Sequence, residues 1–286
     1  MKKTKSTLAV IYPKYMAYLA KQGVSRSHLS FNRLFLGAAI ESFGDRSLES
    51  ISPDEFMRGA KSEWGPRSVR GYIGCVRNLC RWAQDHDYAP YERKLFVERV
   101  RNPKLAVQDP EFYTPEEMRR LLREGAKMVG QKTEFLFLLL ILGGFVGMRT
   151  SEICRLRWED MLLSHKSIKL SSSITKTRLR RIAKIPDNAM EWLSHVKPSH
   201  GVIVPQHLVQ NLTRFTGDLT RAAGVEWKKN GLRHSYVTYA MAKERNAWEV
   251  SEQVGNTPRV LQVHYKGLVL ASDADEWFSI TPNSTL

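Results

Sequence analysis

FLFLLLILGGFVGMRTSEICRLRW, residues 135–158, joins an apolar run directly to a charged cluster, and the fold turns on how that junction is read. Residues 135–145 are apolar on every side. A helix with no polar face belongs in the middle of a domain, not on its surface. The run 135–148 carries three glycines and falls short of the ~18–20 apolar residues that a bilayer span requires. It therefore predicts a central buried helix. Directly after it stands Gly147-Met148-Arg149-Thr150-Ser151-Glu152, with Glu152 three residues beyond Arg149 and on the same helical face.

On the N-terminal side, Thr114-Pro115-Glu116-Glu117 has the grammar of a helix start. Threonine caps, proline takes the first helical position, and glutamate closes a capping box. Met118, Leu121 and Leu122 begin the buried face of that helix. On the C-terminal side the period changes. Residues 167–170 and 181–185 alternate with period two, which predicts a hairpin or small sheet. The polar bridge Ser173-Ile174-Thr175-Lys176-Thr177-Arg178 puts Lys176 near its turn. Helical patterns then return. They carry Asn230-Gly231-Leu232-Arg233-His234-Ser235, Gly255-Asn256-Thr257-Pro258 and His264-Tyr265.

The first third reads as short amphipathic helices. Leu8, Ile11, Tyr12, Tyr15 and Leu19 form one stripe, and Phe31, Leu34, Phe35, Ala38 and Ala39 another. Ser52-Pro53-Asp54-Glu55 starts a further helix. After Pro66, Val69, Tyr72, Ile73, Val76, Cys80 and Ala83 share one side, while Arg67, Arg70, Arg77 and Arg81 share the other. That basic side is either a solvated face or one that tracks phosphates, and the overall charge favours the second. Residues 91–110 are charged, weakly periodic and punctuated by proline. The organisation expected is a helical domain over 1–92, a linker over 93–111 and a second domain over 112–286.

The chain has 286 residues, which at about 100–200 per domain agrees with two domains. Lys and Arg number 44 against 29 Asp and Glu, a net charge of +15, so a polyanionic partner is expected, with nucleic acid first. A membrane surface would need a basic amphipathic helix with an exposed apolar face, and none is evident. At the N-terminus, Pro13 and Lys14 break the apolar patch, so no signal peptide is expected. Cys75, Cys80 and Cys154 form no CxxC pair and read as reduced thiols of a cytoplasmic protein.

Each charged cluster alone has an ordinary structural reading. Their order does not. Arg149, a hairpin Lys176, Arg233-His234, Gly255-Asn256, and Tyr265 ten residues after that glycine resemble the tyrosine recombinase (phage-type integrase) family over residues 114–265. The family pattern is G-x-R-x-x-E, a hairpin lysine, H-x-x-R, G-H/W and a tyrosine. The resemblance implies a fold that is mainly α with a small antiparallel β-sheet, in two domains: a helical core-binding domain and a mixed α/β catalytic domain. It implies a site-specific recombinase that cuts and rejoins DNA through a 3′-phosphotyrosyl link, without metal or ATP. Tyr265 would attack the phosphate, Arg149 and Arg233 would clamp its oxygens, Lys176 would protonate the leaving 5′-oxygen, and Glu152 would orient Arg149. The implied partner is double-stranded DNA, clamped between the domains through its phosphates, with a homotetramer on that DNA and host DNA-bending factors as an open addition. A nucleoid-associated, cytoplasmic location goes with it.

The chemistry agrees with that assignment. A free tyrosine, with pKa near 10, is a weak nucleophile at neutral pH and needs cationic surroundings. Guanidinium forks match the oxygens of a pentacoordinate phosphate. No Walker A loop, HExxH or carboxylate cluster is present in the sequence.

Two positions depart from the pattern. Asn230 replaces the first histidine of H-x-x-R, and Asn256 replaces the histidine or tryptophan after glycine. Asparagine can hydrogen-bond a phosphate but cannot shuttle a proton. Either Lys176 serves as the sole general acid, or the chain is a catalytically impaired, recombinase-like DNA-binding or architectural protein. His234 and His264 adjoin key residues. Neighbours on a helix point about 100° apart, so both are expected to be structural. The tail after Tyr265, with Trp277, Phe278 and Ile280, either caps its own domain or docks on a neighbouring copy, and the resemblance leans toward docking.

Overall fold

The computed structural model describes residues 6–91, 94–106, 108–175, 180–244 and 246–286. The chain divides into two compact units, Met1–Val107 and Gln108–Leu286.

The first unit is helical: α1 (Leu8–Lys21), α2 (Arg26–Phe43), α3 (Pro53–Arg58), α4 (Pro66–Asp85) and α5 (Phe96–Arg99). Local chemistry starts α3 as the sequence predicts. The Ser52 hydroxyl accepts from the Glu55 N–H, and the Glu55 carboxylate accepts from the Ser52 N–H at 2.9 Å. Leu8, Ile11, Tyr15 and Leu19 are buried along α1, with Tyr12 at the margin. On α2 the buried stripe is shifted. Phe35, Leu36, Ala38 and Ala39 are inside, whereas Phe31 and Leu34 are 47% and 57% exposed. Phe31 lies at the rim, edge-on against Phe35 and over Gly71 of α4, where a β-carbon would collide with both rings.

Helix α4 buries Tyr72, Ile73, Val76, Cys80 and Ala83. Arg67, Arg70 and Arg81 are exposed on its other side. Arg77 is not part of that free basic face. Its Nη2 donates to the carbonyls of Val97 and Val100 at 3.3 and 3.2 Å, holding the α5 segment in place. Leu95, Phe96, Val97 and Val100 are buried in the first core. The stretch read as linker from residue 93 thus contains a short apolar anchor of the first unit, hidden in sequence by the charges around it.

The second unit places α6 (Pro115–Ala126) against α7 (Phe135–Gly144), every residue of which is buried. The Thr114–Glu117 capping box forms as expected. After α8 (Thr150–Ile153) come β1 (Met161–Leu162), β2 (Ser167–Leu170) and β3 (Arg181–Lys184). They form a three-stranded antiparallel sheet in that order, with Ile168 opposite Ala183 and Met161 opposite Ile168. The hairpin β2–β3 is the one the alternation predicts, while β1 has only two residues and leaves no periodicity to read. Helices α9 (Asp187–Leu193), α10 (Gln206–Val209), α11 (Leu212–Ala223), α12 (Gly231–Glu244), α13 (Ala247–Val254), α14 (Pro258–Tyr265), α15 (Ala271–Phe278) and α16 (Pro282–Thr285) complete the unit. The architecture, mainly α with a small antiparallel sheet, is the one expected. No helix of the described residues is long and apolar enough to cross a membrane. Cys75, Cys80 and Cys154 are free and buried, and burial raises the pKa of all three thiols.

In this structure the tail packs on its own unit. Trp277 is fully buried in its own unit, its Nε1 donates to the Gly144 carbonyl at 3.1 Å, and its ring stacks on Tyr239 at 4.5 Å. Ile280 is also buried, and its carbonyl accepts from Trp192 Nε1 at 3.0 Å. These side chains complete the core around α7. Trp277→Ala is therefore expected to cost about 3–5 kcal/mol in urea unfolding of the DNA-free protein. A tail that only docked on another copy would leave that midpoint unmoved.

Candidate active site

The turn between α7 and α8 begins the site. Gly147 has φ +75°, and a β-carbon there would stand 2.3 Å from the Tyr236 ring. Only glycine fits both demands. This turn aims the Gly147 carbonyl at Arg233, whose Nη1 donates to it at 2.7 Å. Two residues on, Arg149 enters the site at the head of α8.

Glu152 is the centre of the charge network, and its side chain is 0% exposed. Arg181, on β3, grips it with two bonds, Nη1 to Oε1 at 3.1 Å and Nη2 to Oε2 at 2.7 Å. Arg149 adds Nη1 to Oε1 at 3.0 Å and its backbone N–H to Oε2 at 3.1 Å. Burial by itself would raise the carboxyl pKa. The hydrogen bonds and charges of Arg181 and Arg149 outweigh it and hold the group below the ordinary carboxylate value.

The other wall is the C-terminal end of α13, where backbone carbonyls lack helical partners. Gln253 O accepts from Arg181 Nε at 3.0 Å. Val254 O accepts from Arg233 Nη2 at 2.8 Å and from Arg149 Nη1 at 3.4 Å. Gly255 O accepts from Arg149 Nη2 at 2.9 Å. Gly255 ends the helix in the left-handed conformation, φ +68°, with the Arg181 guanidinium 3.1 Å from where a β-carbon would be. Arg233 is buried beside these groups. Burial first, then the Arg149 charge, pull its pKa down to about 9, still cationic at neutral pH.

Tyr265 closes α14 and faces this cluster. It is 7% exposed. Burial raises the pKa of its phenol, while Arg233 and Arg149 both lower it, and burial prevails. Its hydroxyl lies 2.6 Å from His234 Nδ1. His234 has a lowered pKa, from burial first and the Arg233 charge second, so the imidazole is neutral at pH 7.

The structure thus brings together Arg149, Glu152, Arg233, Asn256 and Tyr265. Asn256 contributes as an acceptor, its Oδ1 taking Arg149 Nη2 at 2.8 Å. Asn230 is exposed at the turn before α12, with φ +57°, and its backbone carbonyl accepts from the His234 N–H at 2.9 Å. Among the described residues its side chain makes no hydrogen bond to the site. Lys176 lies outside the described residues. His264 is exposed, as a structural or solvated side chain would be. His234 is a correction: it was expected to be structural, and instead it touches the tyrosine hydroxyl. Arg181 was also missed. Its signal was indirect, since a glutamate buried beside one arginine calls for further compensation.

The phage integrase family matches residues 111–256, so the chain belongs to that family. A tyrosine recombinase from Pseudothermotoga lettingae is 28% identical over 171 residues, covering 56% of this chain and 57% of that protein. The tyrosine recombinase XerA of Thermococcus kodakarensis is 24% identical over 260 residues, 86% of each chain. Among solved structures, a lambda integrase dimer bound to a COC′ core site superposes with TM-score 0.71 at 17% identity, over 89% of this chain and 97% of that one. A lambda integrase tetramer bound to a Holliday junction gives TM-score 0.71 at 15% identity, over 91% and 78%. At these identities the superpositions establish the fold.

Glu152→Gln keeps the volume and gives up the charge. It is expected to destabilise the protein at pH 7 by about 3–5 kcal/mol, measured by denaturant titration. The sign with pH follows from the depressed carboxyl. The difference from wild type should be present in full above the ordinary pKa of 4.5 and vanish as pH falls through the lower folded value.

Proposed function

We propose that this protein is a site-specific tyrosine recombinase that cuts and rejoins double-stranded DNA. Tyr265 is the nucleophile and forms a 3′-phosphotyrosyl link. Arg149 and Arg233 bind the non-bridging phosphate oxygens, where preorganised donors act on the charge that develops at the pentacoordinate phosphorus. Glu152 positions Arg149, Asn256 holds the same guanidinium from the other side, and Lys176 is assigned to protonate the leaving 5′-oxygen. Asn230 is assigned no proton transfer. Because the covalent link conserves the energy of the broken phosphodiester, rejoining needs no ATP, and no step in this scheme calls for a metal.

The observation that carries the reading is the phenol of Tyr265, buried at the arginine cluster, where the charges of Arg233 and Arg149 both act on it. Supporting it, the described hydrogen bonds leave Arg233 with free N–H groups: each Nη makes one bond, to Gly147 O and to Val254 O. The net charge of +15 suits a phosphate-lined partner. The solved relatives bound to DNA as dimer and tetramer support assembly of several copies on DNA, a homotetramer in this reading. A role at the bacterial or archaeal nucleoid follows from such a substrate.

Nicked suicide duplexes tiled across the DNA flanking the gene provide the test. Wild type is expected to give a covalent protein–DNA adduct on a denaturing gel, and Tyr265→Phe none. Binding without any adduct would instead mark a DNA-binding module that has lost cleavage, the reading that Asn230 supports. Affinity for the same duplexes should fall linearly on log–log axes with salt, with slope about −0.9 per phosphate neutralised. A flat response would contradict phosphate-led binding.

A further inference from the structure

We infer that His234 is the general base that takes the proton from Tyr265, the part in the reaction that Asn230 cannot play. The inference rests on the recombinase reading above, and it concerns the identity of the base.

The geometry supports it directly. His234 Nδ1 is 2.6 Å from the Tyr265 hydroxyl oxygen, within the range for proton transfer. Among the described residues this is the one hydrogen bond that the hydroxyl makes. The other polar groups around it cannot accept a proton. Arg149 and Arg233 only donate. Glu152 is enclosed by four hydrogen bonds from Arg149 and Arg181. Asn230 is exposed and turned to the surface by its left-handed backbone, and His264 is exposed. In the tautomer that this role requires, Nδ1 accepts from the phenol and Nε2 carries the imidazole proton.

Helix geometry explains why sequence spacing misleads here. His234 lies one residue after Arg233, on a different face of α12. Arg233 points back to the α7–α8 turn and the end of α13, while His234 points to α14. Tyr265 lies on α14, where His234 meets it, and the Arg233 charge also acts on its phenol, so neighbours about 100° apart can serve one site.

The step balances as follows. As the Tyr265 oxygen bonds to phosphorus, its O–H bond breaks and the proton passes to Nδ1. The P–O5′ bond breaks, and the departing 5′-oxygen takes a proton from a separate acid, assigned above to Lys176. On rejoining, the 5′-hydroxyl returns its proton to that same group as its oxygen bonds to phosphorus, the P–O bond to Tyr265 breaks, and Nδ1 gives its proton back to the phenolic oxygen. The imidazolium formed beside Arg233 is unfavourable in the free protein, and the bound phosphodiester supplies the negative charge that offsets it. The base is thus weakest when no DNA is present.

The test uses the full chain and the flanking-DNA suicide duplexes, with gel shift as a check on binding. His234→Gln offers a hydrogen-bond acceptor but no base, and His234→Ala offers neither. Adduct formation is expected to slow by about 10²-fold or more in both, with binding retained. Replacing Tyr265 with a trifluorinated tyrosine, whose phenol is more acidic, should then restore the His234 variants more than it speeds wild type. A His234→Gln rate within a few-fold of wild type overturns the base while leaving Tyr265 as nucleophile. Slow variants that gain no more than wild type from the acidic tyrosine also overturn it, and make His234 a positioning residue. Wild type that forms no adduct, or an adduct that survives Tyr265→Phe, overturns the recombinase reading and this inference with it.

Discussion

Three arginines depend on one short helix end and one buried carboxylate. The carbonyls of Gln253, Val254 and Gly255 take hydrogen bonds from Arg181, Arg149 and Arg233, and Glu152 ties two of the three together from the opposite side. Like charges brought this close would separate without such anchors. The end of a helix is suited to the task, since its free carbonyls carry partial negative charge and need donors in any case. The arrangement leaves a surplus. Among the described residues, three guanidiniums face one carboxylate, so the local balance is two positive charges (3 − 1 = 2). A site with that surplus is suited to an anion.

Tyr265 sits between opposed influences. Arg233 and Arg149 favour the phenolate, burial favours the phenol, and burial prevails. The phenol is therefore held protonated in the protein alone. In the proposed reaction, its proximity to the arginines counts once a phosphate is present to share them and a base is at hand. That proposal separates holding the tyrosine in place from activating it, and it gives activation to the substrate.

The sequence disclosed what is decided locally. The Ser52 and Thr114 capping boxes are complete within a few residues, and both form. The buried helix α7 has no polar face to misread, and the β2–β3 alternation is the minimal sign of a half-buried hairpin. What it hid depends on partners distant in the chain. Arg181 looks like a strand-edge charge until Glu152, twenty-nine positions earlier, is folded against it. Arg77 reads as one of four basic residues on a face, and only the Val97 and Val100 carbonyls remove it from that set. Trp277 and Ile280 carry no mark of whether they complete their own core or another. Of the site, Arg149, Glu152, Arg233 and Tyr265 were legible through their order along the chain. His234 was set aside by an argument from helix angles that is correct about direction but silent about what stands in each direction.

The two asparagines show how a departure from the family pattern can be a change of role. At position 256 a tryptophan could only donate a hydrogen bond, and Arg149 beside it is itself only a donor. Asparagine offers an acceptor, and Oδ1 takes the guanidinium at 2.8 Å while leaving its own amide N–H groups for another partner. Asparagine thus gives the position a contact with Arg149 that tryptophan could not make. At position 230 the backbone is left-handed, φ +57°, a conformation that asparagine tolerates better than most residues. That turn starts α12 and sets the direction in which Arg233 and His234 leave it. Asn230, whose side chain cannot transfer a proton, therefore still shapes the backbone from which His234 reaches Tyr265.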